Sequence, residues 1–159
     1  IVYGLAISSS GAYFAVIEGI DPQQLILFQR REEGYVPVFS EEREHTVRRE
    51  IFLQFGADEA YLFIEQDEML SRLAVRRKTE TEFPLTGRPF DVEYSRAYRS
   101  HFIHSGNRKQ AAVDMYSEGG MHINRFYINP ESSVTFLENS LFIQRGKYIH
   151  LVSIMGADR

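Results

Sequence analysis

The residues best suited to chemistry cluster at 101–109. There His101-Phe102-Ile103-His104-Ser105-Gly106-Asn107-Arg108-Lys109 gathers two imidazoles, a hydroxyl, an amide and two cations around a turn. Arg108 and Lys109, together with the turn amides, form a candidate dock for a phosphate or carboxylate. The plainer reading is a solvated hairpin tip, since turns are polar for backbone reasons alone. Farther on, His122 and Asn124 fall on one face of a strand and Arg125 and Tyr127 on the other. His101, His104, Arg108, Lys109, His122 and Tyr127 together define the candidate small-ligand site of the C-terminal half.

Other chemistries lack the residues they need. The chain has no cysteine, which excludes disulfides, thiolate metal sites and thiol nucleophiles. His101 and His104 are three apart, so on a strand they point to opposite faces and no metal site is expected. Ser8-Ser9-Ser10-Gly11 lacks the flanking glycines of a nucleophile elbow. It is not followed by the Gly-Lys-Ser/Thr of a phosphate loop. Asp91, Glu93, Asp114 and Glu118 offer carboxylates, but nothing in their spacing pairs two of them. No cofactor is implied.

Three basic groups stand out, Arg30-Arg31, Arg48-Arg49 and Arg76-Arg77-Lys78. Nucleic-acid binding would need all three on one face. Glu32-Glu33 and Glu50 dilute two of them, and the formal charge is −4, so nucleic acid is disfavoured as a partner.

The elements that must carry these residues read as an α+β fold. Residues 1–39 look like an N-terminal β-hairpin region, with turns at Ser8–Gly11, Asp21-Pro22 and Glu32–Gly34. Pro37 cannot donate to a ladder, so Tyr35, Val36, Val38 and Phe39 suit an exposed edge that could hold a partner strand. Ser40 as N-cap, the following glutamates, and Val47, Ile51 and Phe55 every four residues predict a helix at about 41–55. Residues 67–78 read as a second helix, and 60–65 fits strand or helix. Residues 78–89 form a connector rich in Thr and Pro, taken as a surface loop within one domain spanning 1–159. From residue 90, turn signals about every ten residues predict one continuous antiparallel β-meander or half-barrel. No internal repeat is evident.

No apolar run reaches the ~20 residues of a membrane helix. A cytoplasmic location is slightly favoured. A secreted or periplasmic one would follow from a signal trimmed before Ile1. The functional expectation is a non-catalytic binding or assembly module holding a protein partner through a sheet face or edge. The alternative is a small enzyme or small-ligand binder with its pocket in the C-terminal sheet.

Overall fold

The computed structural model describes residues 1–43, 49–66, 69–85, 87–96, 98–137 and 140–153. It is all strand and turn, with no helix among the described residues. They fall into two compact units, Ile1–Phe83 and Pro84–Arg159. The boundary lies within the 78–89 stretch.

The first unit holds two antiparallel meanders. In one, β1 (Val2–Ile7), β2 (Tyr13–Glu18), β3 (Gln23–Arg31) and β4 (Gly34–Arg43) pair in chain order. In the other, β5 (Leu53–Phe55), β6 (Tyr61–Gln66), β7 (Met69–Ala74) and β8 (Glu80–Pro84) do the same. Ser8 closes the first hairpin twice over. Its amide donates to Tyr13 O at 3.0 Å, and its hydroxyl accepts from Tyr13 N at 3.0 Å.

Alternation then sorts the side chains. Ala15, Ile17, Leu25 and Leu27 of the first sheet share one buried layer with Leu62, Ile64, Leu73 and Val75 from the second sheet and its β7–β8 turn. The two backbones meet at Gly4. A Cβ there would sit 3.0 Å from Ile51 O, and Ile51 N donates to Tyr3 O at 2.8 Å.

The second unit begins with β9 (Arg88–Ser95), β10 (Ser100–Gly106), β11 (Ala111–Ser117) and β12 (His122–Ile128), again paired in succession. After Asn129-Pro130 a new sheet starts, with β13 (Ser133–Leu137), β14 (Ser140–Arg145) and β15 (Tyr148–Ser153). Phe102, Val113 and Met115 pack with Leu141, flanked by Phe126, Phe136 and Val152.

The α+β expectation is therefore corrected. Glu41 and Glu42, read as a first helical turn, extend β4. Ile51 and Phe55 are buried as expected, but Phe55 ends strand β5 and Ile51 hydrogen-bonds to β1. A spacing of four puts residues on one face of a helix, but it is also a multiple of two and does the same on a strand. In the second proposed helix, Met69, Leu70 and Leu73 lie on β7, which is buried on both faces. Strands of that kind carry no alternation to read. Residues 60–65 take the strand alternative as β6. Positions 44–48 and 67–68 of the two proposed helices, and Ile154 of the last proposed strand, lie outside the described residues. The meander from 90 onward is correct in its strands but is two sheets rather than one continuous one.

Leu62 is fully buried in the layer joining the first two sheets. Leu62→Ala is expected to cost about 2–5 kcal/mol of stability. Urea unfolding should show this as a lower midpoint with an unchanged slope.

Candidate binding surface

Strand β10 positions the histidines of the 101–109 segment. His101 lies opposite Tyr116 on β11 and Tyr94 on β9, while His104 lies opposite Val113 and Asp91. The two imidazoles are on opposite faces, as their spacing requires. His101 belongs to a row of rings crossing the sheet, Tyr94–His101–Tyr116–His122. The ring pairs Tyr94–His101 and Tyr116–His122 each have centroids 5.0 Å apart. Burial pushes the Tyr116 phenol up to about 12, and the Asp114 charge adds to the effect. Its hydroxyl donates to Pro84 O at 2.6 Å.

The same face carries a buried carboxylate. Asp114 Oδ1 accepts from Arg125 Nε at 2.7 Å and lies 2.9 Å from His122 Nε2. This uses His122 as a structural partner. Tyr127 stands on β12, the last strand in its sheet's order, and is 67% exposed. Arg108 and Lys109 occupy the β10–β11 turn. Two amides of that turn, from Lys109 and Gln110, already donate to Asn107 Oδ1 at 2.9 and 3.1 Å. The β11–β12 register shift brings His122 onto the face of Arg125 and Tyr127 rather than the opposite one, so His101, His122 and Tyr127 share a face, while His104 lies on the other and Arg108 and Lys109 at a hairpin tip. Among the described residues, no group of three or more His, Asp or Glu is placed to hold a metal ion.

The proposed partner edge is β4, which does end its sheet's order. Tyr35 and Val36 are exposed, and the Tyr35 hydroxyl donates to Gly11 O at 2.7 Å. Val38 and Phe39 instead pack against the buried layer of the first unit.

The first unit also has a concave surface that sequence reasoning missed. A cavity of about 580 Å³ is lined by Tyr13, by Asp58 to Tyr61 on the β5–β6 turn, and by Arg72, Arg76, Arg77, Thr79 and Thr81 around the β7–β8 hairpin. Glu59 fixes its rim. Glu59 Oε1 accepts from Ser10 N at 2.5 Å and Ser9 Oγ at 3.0 Å, and Oε2 accepts from Ser10 Oγ at 2.7 Å. The Ser10 amide and hydroxyl hold its carboxyl below the usual glutamate range. This ties the β1–β2 turn to the β5–β6 turn, so the turns of both sheets lie at one end. Arg72 is buried in the wall, its guanidinium 4.5 Å from the Tyr61 ring centroid and 5.4 Å from that of Phe83. A second cavity shares Tyr13 and Arg76 with the first and adds Arg31 and Lys78. A third shares Arg31 with the second and adds Arg30 and Glu32. Two of the three basic groups therefore meet on one surface. In the remaining group, Arg49 pairs with buried Glu65 at 2.9 Å, and Arg48 lies outside the described residues. The available signal was that both converging groups sit where a strand enters a turn.

Three four-stranded antiparallel meanders and a three-stranded one, paired face to face within each unit, define a propeller-type protein. A family model described as beta-propeller protein matches residues 1–151, so the chain belongs to that family, an all-β one. Comparison with curated proteins gave no match. Among solved structures, the chain is similar to AztD from Citrobacter koseri, at 12% identity and TM-score 0.69, covering 96% of this chain and 44% of that one. It is also similar to hydrazine synthase of Kuenenia stuttgartiensis, at 13% identity and TM-score 0.65, covering 96% and 46%. A third similar structure is the beta-propeller domain of the Trilobed protease from Pyrococcus furiosus, whose description gives it an open velcro topology. There the identity is 8% and the TM-score 0.62, covering 94% and 53%. At such identities the likeness shows the fold alone. The chain spans about half the length of these structures. No helix among the described residues is long and apolar enough to cross a membrane.

His104 supplies a pH test of the second unit. Burial holds its imidazole below the ordinary value of 6.5, with the Asp91 charge opposing. As pH falls through 6.5 the unfolded chain takes up the proton first. Stability is then full above that pH and declines as pH drops toward the lower folded value. His104→Gln should flatten this part of a stability–pH profile measured by urea unfolding. An unchanged slope in the variant would assign it to another group.

Proposed function

We propose that this propeller-type chain is a non-catalytic binding module that holds a protein partner through the outer strands of its sheets. The observation that carries this reading is β12. Its ladder with β11 shifts between Met115 and Tyr116, which leaves Ile123 with no opposite residue. Ile123 is 47% exposed, and Tyr127 on the same outer strand and Met121 just before it are exposed as well. Tyrosine with aliphatic side chains on such an edge is the composition of a protein contact. Behind it, Asp114 holds Arg125 and His122 in place, so the strand is presented on a fixed support.

The reading with a small-ligand pocket in the C-terminal sheet needs His101, His104, Arg108, Lys109, His122 and Tyr127 around one cavity. Their spread over two faces and a hairpin tip favours the binding module.

A photo-crosslinking residue placed at Tyr127 should label one protein in the native cell, and the same residue at exposed Glu131 should not. With that protein purified, Ile123→Lys combined with Tyr127→Ala should weaken binding by at least about tenfold. Equal labelling at both positions, or turnover of a substrate by the purified chain, would argue against the reading.

A further inference from the structure

We infer that the turn end of the first unit is an anion-recognition surface that takes an acidic, extended peptide segment. This rests on the reading that the chain holds a protein partner, and it adds the chemistry of what is held. Five side chains carry it along the three cavities: Arg30, Arg31, Arg72, Arg76 and Arg77, with Lys78 beside them. Arginine is the side chain suited to carboxylates, since its planar fork donates two parallel hydrogen bonds.

One of these cations belongs to a built site rather than to a solvated surface. Arg72 is 7% exposed yet lines the 580 Å³ cavity, with its guanidinium close to the Tyr61 and Phe83 rings. A cation held in that way is preorganised, so little side-chain freedom is lost when an anion arrives. Two carboxylates, Asp58 and Glu59, line the same cavity and offset part of its positive charge. Glu59 is engaged by Ser9 and Ser10, and Asp58 Oδ1 accepts the Ala60 amide at 3.1 Å. Thr79 and Thr81 add hydroxyls that donate or accept.

The form of the surface selects the ligand class. Three cavities that share Tyr13, Arg76 and Arg31 in their linings suit a chain more than a compact ion. Glu32 and Asp58 are interspersed among the arginines. A polyphosphate backbone offers only acceptors and can engage only the cations. A peptide carries N–H donors between its acidic side chains and can use both signs. The net charge of −4 also withholds the broad positive field that nucleic acid needs.

The test uses the full chain and a fluorescent hexaglutamate peptide, which spans about 20 Å when extended. Anisotropy at low salt should show saturable binding, with a matched hexaglutamine peptide at least about tenfold weaker. Both Arg76 and Arg77 are exposed, so Arg76→Ala with Arg77→Ala should leave the fold intact and weaken hexaglutamate by about tenfold or more. Arg108→Ala with Lys109→Ala, in the second unit, should leave the affinity unchanged. Equal binding of the two peptides, or no effect of the Arg76/Arg77 pair, would overturn the inference. So would tighter binding of a ten-residue oligothymidylate, which would indicate nucleic acid, or full displacement by low-millimolar inorganic phosphate, which would indicate a free-anion site. A partner that labels at Tyr127 while hexaglutamate fails to bind would overturn this inference alone. Hexaglutamate binding without any such partner would instead overturn the edge contact of β12.

Discussion

The buried layer between the first and second sheets is the constraint on which the N-terminal unit depends. Each sheet is a local meander and cannot bury its apolar face alone. Ala15, Ile17, Leu25 and Leu27 find their cover in Leu62, Ile64, Leu73 and Val75. The small residues Gly4, Ala6 and Ala15 let the sheets approach closely where β1 meets the entry to β5. Once that face is joined, the turns β1–β2 and β5–β6 must lie together. Glu59 then bridges to Ser9 and Ser10 across about fifty residues of sequence. The cavity is what remains where the two sets of turns diverge beyond the packed layer.

Much of the strand content was legible, because period-two alternation and turn residues act over a few positions. The turns at Ser8–Gly11, Glu32–Gly34, Glu118–Gly120 and Arg145–Lys147 all separate observed strands. The helices failed for two reasons. Ile51 and Phe55 share a face under either periodicity, and β7 is buried on both faces, so neither carries a signal that distinguishes strand from helix. The repeat was hidden by geometry rather than by chemistry. The first strands of the four sheets begin at residues 2, 53, 88 and 133, so no fixed period links them. A similar backbone unit is built each time from different side chains and connections of different length.

The site was less legible than the fold. The opposite faces of His101 and His104 follow from spacing alone, and the structure shows them so. That Asp114 would engage His122 and Arg125 depends on the β11–β12 register and its bulge, which no local pattern reveals. The arginine groups at 30–31 and 76–78 were visible as residues, but Glu32-Glu33 adjoin the first and the second falls at the end of an expected helix, so each looked like an ordinary solvated surface. Their meeting is a tertiary consequence of two sheets sharing a core, and it joins residues some forty-five positions apart.

The two kinds of polar group in this chain have different fates, and this bears on what the protein can do. Two buried carboxylates are tied to structural partners: Asp114 to Arg125 and His122, Glu65 to Arg49 and the Phe52 amide. A buried carboxylate paired in this way holds neighbouring strands in register. Exposed polar groups are arranged by turns and outer strands, where side chains can meet a partner without disturbing the core. Arg72 combines the two, being buried and also lining a cavity. Burial of a cation is tolerable there because two aromatic faces replace part of its hydration.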